Sequence, residues 1–180
     1  MRIIIFGMKG VGKSTIARAL AKRLDYTYAD TDLIIEKQYN KDNNKTKLPF
    51  RQIFAKHGRA YFNKLEEKAI QEISKKDNIV ISVGGSTLFN KKNYITLKTN
   101  SKVKSIFIHL TADKKTLLKR IMRRGIPPFL DDKDPKRSLS TLLKQRVPRY
   151  RELSDYMVST TNKTVSEIIS KIISKLPLNN

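Results

Sequence analysis

The chain has 180 residues, 39% of them apolar, contains no cysteine and carries a formal net charge of +22. That length supports one well-buried core but not two ordinary domains, and the lack of cysteine excludes disulfides, thiolate metal sites and a cysteine nucleophile. The charge favours anionic ligands, yet the basic residues are spread along the chain without interleaved aromatics, so nucleic acid is not expected as the main ligand.

Residues 2–6, Arg-Ile-Ile-Ile-Phe, form an apolar run that stops at Gly7 and reads as a buried strand rather than a signal peptide. No stretch approaches the ~18 apolar residues of a membrane span, and a cytoplasmic location is expected. Ile16, Ala17, Leu20, Ala21 and Leu24 mark one face of a helix over 14–24. A short strand is expected at 26–29. Mostly helical segments follow at 32–40 and 49–75, split by the polar stretch 40–47 and by Gly58. A third strand over 78–83 ends in Gly84-Gly85, a fourth occupies 103–109, and a helix spans 112–124. Residues 125–137 hold one glycine, three prolines and three aspartates, the composition of a mobile loop. A helix over 138–153, a strand over 156–158 and a last helix opened by the capping box of Thr164 and Glu167 complete the chain. This alternation predicts one α/β domain over residues 1–180, built on a central, mostly parallel five-stranded sheet.

Gly7-Met8-Lys9-Gly10-Val11-Gly12-Lys13-Ser14 satisfies G-x-x-x-x-G-K-[ST] and sits between the first strand and an amphipathic helix. Glycines let successive backbone N–H groups curl around phosphate oxygens, and the helix N-terminus adds positive partial charge. Lys13 supplies a mobile charge between the β- and γ-phosphates and is expected to face solvent in the empty site. The Ser14 hydroxyl is a Mg²⁺ ligand. With Thr15, these residues form an ATP site that uses Mg²⁺ as cofactor. Asp30-Thr31-Asp32 places two carboxylates at the end of the second strand, where they face the same crevice or cap a helix. Beside a phosphate loop the first reading gains, because phosphoryl transfer needs one carboxylate near Mg²⁺ and another near the attacking hydroxyl. Ser82-Val83-Gly84-Gly85-Ser86 marks a point where backbone can approach a ligand closely. Arg120, Arg123, Arg124, Arg146, Arg149 and Arg151 gather near the 125–137 loop, where some can clamp phosphate or carboxylate.

In this order the segments resemble the shikimate kinase family of P-loop kinases nearly end to end. The phosphate loop, Asp30-Thr31-Asp32, Ser82-Val83-Gly84-Gly85 and Arg146-Val-Pro-Arg-Tyr150 leading to Asp155 carry the resemblance. It implies a three-layer α/β/α fold with acceptor-binding helices over 32–75 and a lid over 125–137. It implies that Asp30 and Ser82 join Ser14 at Mg²⁺, and that Asp32 grips an acceptor hydroxyl and takes its proton. Backbone N–H groups of Gly84 and Gly85 and the Arg146 guanidinium would bind the acceptor, and Arg120 would stack on adenine.

Three positions depart from the family pattern. Phe-Arg-x-x-Glu reads Phe62-Asn63-Lys64-Leu65-Glu66, the glycine triplet reads Gly84-Gly85-Ser86, and the lid's Arg-Pro-Leu-Leu reads Pro127-Pro128-Phe129-Leu130. The nucleotide half of the site is intact and the acceptor half is altered. Arg59, one helical turn before Asn63, or Lys64, Lys133, Lys136 or Arg137, could compensate. The expectation is a monomeric, Mg-ATP-dependent kinase of a small anionic hydroxylated acceptor, with shikimate first. Alternatives are a different polyhydroxylated acid, or a non-kinase ATP-binding regulatory protein docked on a polyanion.

Overall fold

β1 (Arg2–Phe6) is apolar without a break over positions 3–6 because sheet and helices cover it completely; all five residues are buried. Such runs belong to strands enclosed on both faces of a parallel sheet. The computed structural model describes residues 1–43, 47–99, 103–123, 125–127 and 129–177. The remaining strands are β2 (Thr27–Asp30), β3 (Ile79–Ser82), β4 (Ser105–Thr111) and β5 (Tyr156–Ser159). Their order is β2-β3-β1-β4-β5, with every pairing parallel, so the sheet expected to be mostly parallel is parallel throughout. The chain leaves β1 first to one side and then to the other. Strand order therefore switches at β1, and a crevice opens at the carboxyl ends of the strands there.

Among the described residues seven helices accompany the strands: α1 (Lys13–Leu24), α2 (Thr31–Asp42), α3 (Phe50–Ile73), α4 (Lys91–Thr99), α5 (Lys114–Met122), α6 (Pro135–Glu152) and α7 (Val165–Ile173). They complete a three-layer α/β/α arrangement, with α1 packed beside α7 and α3 beside α4. The Arg2 guanidinium is buried at the opposite end of the sheet from the crevice. It donates to the carbonyls of Ser74 and Val103 and to Ser105 Oγ, tying β1 to the segments that enter its neighbours. A smaller apolar cluster of Ile35, Tyr39, Ile53, Phe62, Leu65 and Ala69 holds α2 against α3.

Some expectations shift. α4 and the 3₁₀ turn Thr87–Phe89 were not anticipated, because α4 buries only Asn93 and Leu97, too little to write a helical stripe. β4 begins and ends two residues later than 103–109. α3 is interrupted where the sequence suggested, at Gly58 (φ 73°, ψ −177°). α6 starts at Pro135, with Asp134 capping the Arg137 N–H, so the loop after α5 is shorter than 125–137. Leu130 within that loop is 6% exposed and joins the main core. Arg124, Pro128 and positions 44–46 of the polar stretch lie outside the described residues. Among the described residues no helix is long and apolar enough to cross a membrane.

Candidate active site

The phosphate loop joins β1 to α1 at the switch point. Gly7 has φ +137°, and a Cβ there would lie 2.4 Å from the Leu110 carbonyl oxygen, so no other residue fits. Gly12 occupies the N-cap of α1, and no side chain caps that end. The first N–H groups of α1 are thus left for an anion. Val11 is buried, and its own N–H turns back to the Met8 carbonyl at 3.3 Å, so it shapes the loop from inside.

Ser14 Oγ donates to Asp30 Oδ2 at 2.8 Å and lies 3.4 Å from Ser82 Oγ. The other Asp30 oxygen accepts the Asp32 N–H at 3.1 Å and caps α2. Both readings of Asp30-Thr31-Asp32 therefore hold: one oxygen is a helix cap while the other faces the phosphate-loop serine. Tyr28 adds a hydroxyl donor to Asp30 Oδ2 at 3.0 Å, and the carboxylate pushes the phenol pKa up to about 12, after burial as the larger cause. Three hydroxyls and a single carboxylate thus converge. That donor set fits Mg²⁺, which binds through one or two carboxylates and completes its shell with water and substrate phosphate.

Lys13 is half-buried rather than solvent-facing, correcting the expectation. Its Nζ approaches the Met8 carbonyl at 3.4 Å. Burial lowers its pKa; the charges of Asp32 and Asp30 oppose that, and the Arg146 charge adds to it. Asp32 moves the other way. Burial first, then repulsion from Asp30, pushes its carboxyl up to about 7, with Lys13 holding it down. A carboxylate poised near neutrality can accept a proton from a hydroxyl.

On the acceptor side, Gly84 follows β3 and is wedged tightly. A Cβ there would meet Thr87 Oγ1 at 2.7 Å, Asp32 Oδ1 at 3.4 Å and Glu66 Oε1 at 3.6 Å. Its N–H donates to Thr31 Oγ1 at 3.2 Å instead of pointing free into the crevice. The Cβ position of Gly85 lies 3.6 Å from Arg146 Nη1, from the Gly7 carbonyl oxygen and from the Tyr150 hydroxyl. Tyr150 donates to the Gly85 carbonyl and touches Met8 Sδ at 3.7 Å. It pins the glycine loop to the phosphate loop. The sequence contained a signal for Tyr150 at the end of Arg146-Val-Pro-Arg-Tyr150 but gave it no role.

Glu66 is a second residue whose place was not foreseen. It is 7% exposed, accepts the Thr87 hydroxyl at 2.6 Å and has a pKa raised by burial. The Thr87 bond and the charge of Arg59 oppose that rise, so Arg59 acts electrostatically on this side of the crevice. Arg120 lies beside Gly10 and is fixed by two bonds to Thr160, at 2.9 Å to Oγ1 and 3.0 Å to the carbonyl. Beneath the loop, His109 is 2% exposed and stacks on Phe6, with ring centroids 5.5 Å apart. Burial holds its pKa down near 4, so it is neutral packing at ordinary pH.

A family model described as shikimate kinase matches residues 9–177. The shikimate kinase of Caldanaerobacter subterraneus is 32% identical over 171 residues, covering 95% of this chain and 93% of that protein. The Thermus thermophilus shikimate kinase is 33% identical over 175 residues, 97% of this chain and 89% of its own length. Among solved structures, shikimate kinase from Acinetobacter baumannii in complex with shikimate superposes with a TM-score of 0.80 at 28% identity, covering 96% of this chain and 90% of that one. With a family model over residues 9–177 and relatives at 32–33% identity that match nearly end to end, the chain belongs to the shikimate kinase family.

Proposed function

We propose that the chain transfers the terminal phosphoryl group of ATP to shikimate, giving ADP and shikimate 3-phosphate. The observation that carries this reading is the junction at Gly85, where the phosphate loop, the Arg146 guanidinium and the Tyr150 hydroxyl all lie 3.6 Å from the point a Cβ would occupy. An acceptor lying there has a cation for its carboxylate and the nucleotide loop within reach of its hydroxyl.

In this mechanism the loop N–H groups and the open end of α1 hold the phosphates, and Lys13 neutralises charge that develops on the transferring group. Ser14 and Asp30, with Ser82 beside them, would hold Mg²⁺, which would supply positive charge to the phosphates. Asp32 orients the acceptor hydroxyl and takes its proton. Gly84 serves by letting the backbone come close, since its N–H is committed to Thr31, while the N–H of Gly85 faces the acceptor. Arg120, fixed against Thr160, offers a flat face for the base, and Thr15 extends the phosphate contacts. The segment after α5 closes over the crevice and excludes water. All of this takes place within one domain.

Arg59 takes the place of the arginine missing at Asn63. A charge-assisted bond between guanidinium and carboxylate is worth about 1.5–3 kcal/mol, or roughly 10- to 150-fold in affinity. Arg59→Ala should therefore raise KM for shikimate by about that factor while kcat moves little. Steady-state kinetics with shikimate varied would show it. An unchanged KM would leave Arg146 as the sole clamp.

A further inference from the structure

Lys9 stands inside the phosphate loop, between Met8, whose carbonyl faces Lys13 Nζ, and Gly10, whose backbone turns at φ +85°. Its ammonium lies 5.3 Å from the centroid of the Phe129 ring. Phe129 belongs to the segment between α5 and α6. It is 40% exposed, while its neighbour Leu130 is anchored in the core. The same ring borders an open cavity of about 440 Å³ that Asp131, Asp134 and Arg137 also line, so it is not locked in a packed interior. This cation–π contact thus links the nucleotide loop to the covering segment through a ring that borders open space.

The charge of the covering segment makes the contact informative. Between α5 and α6, residues 123–134 hold three aspartates against Arg123, Arg124 and Lys133, so the segment has no net charge. A segment without net positive charge closing over a triphosphate leaves the phosphate charge to be neutralised by cations from elsewhere. Lys9 already sits at the junction. An exposed cation–π contact is weak, whereas a phosphate oxygen in a water-poor site binds an ammonium strongly.

We infer that Lys9 is a second phosphate-directed cation: it rests on Phe129 in the empty protein and turns onto the terminal phosphoryl group once ATP and acceptor are bound. The inference rests on the kinase reading above. Lysine suits the task because its ammonium is a compact point charge on a flexible four-carbon stem. Lys13 reaches the phosphates from the start of α1, and Lys9 approaches from the side of the covering segment.

The test is a cycle of Lys9→Met and Phe129→Leu, with Lys9→Arg alongside. It measures kcat with saturating shikimate and Kd for ATP by titration of the intact protein. Lys9→Met should lower kcat about 10- to 100-fold while the Kd for ATP changes less than about threefold. Lys9→Arg should recover most of the rate, and the loss from Lys9→Met should persist in the Phe129→Leu background. A loss that disappears in that background would make Lys9 merely a latch for the covering segment, and a kcat within about threefold of wild type would remove any role; either result overturns the inference. Wild-type protein that turns over ATP without consuming shikimate would defeat the kinase reading itself, an outcome visible before any variant is compared.

Discussion

Replacing Lys13 with alanine is expected to lower shikimate-dependent turnover by roughly 10²–10⁴ while the protein stays folded. The side chain is half-buried, with a desolvation cost that the charges of Asp32 and Asp30 oppose and that of Arg146 adds to. A preorganised cation in such a site acts on charge that appears only as the phosphoryl group transfers. The main core does not use Lys13, so the melting temperature should change little. The deletion has a second consequence. Lys13 is the group that holds the Asp32 carboxyl down, so its removal should move the Asp32 titration further up. Coupled kinetic assays and thermal melts on the same preparation separate the effects. Retention of more than about a tenth of wild-type turnover would contradict the role given to the phosphate loop.

Asp32→Asn is the second large expected loss, because it removes a carboxylate that lies beside Gly84 and is pushed up to about 7. Turnover should fall by about 10²–10⁴, the usual contribution of a positioned general base, with ATP affinity nearly intact. In the wild type kcat/KM should rise with pH through about 7, the value to which burial and Asp30 push the free carboxyl. The Asn variant should lack that limb. The stability sign is opposite. The unfolded carboxyl ionises near 4, so between about 4 and 7 the unfolded chain has lost a proton that the folded protein keeps. Stability from this group is complete in acid and falls as pH rises through about 7. Asp32→Asn should therefore raise the melting temperature relative to wild type more at pH 8 than at pH 5. A pH-independent difference in melting would show that the carboxyl is not perturbed as described.

How much of this was legible in the sequence depended on the range of the contacts. β1 was legible because a strand buried on both faces spells its burial as an apolar run, here positions 3–6. The phosphate loop was legible because its requirements are local, a few backbone angles and one cation between a strand and a helix. α4 was not, since its two buried residues form no stripe and the rest of its surface is polar. The Gly84 N–H could not be assigned from sequence because its partner, Thr31, lies 53 positions away. Tyr150 and Gly85 are 65 positions apart, and only the folded sheet brings their loops together. Asp30 shows the same limit in another form. Sequence left cap and metal ligand as alternatives, whereas a carboxylate has two oxygens and the fold uses one for the cap and turns the other toward Ser14.

The most direct test of the central claim follows ATP and shikimate together in one reaction. The protein is incubated with Mg-ATP in the presence and absence of shikimate, and ADP and phosphorylated shikimate are both quantified. The account predicts ADP and shikimate 3-phosphate in equal amounts when shikimate is present, and little ADP when it is omitted. ADP that accumulates at the same rate without shikimate, while added shikimate is recovered unmodified, would contradict it.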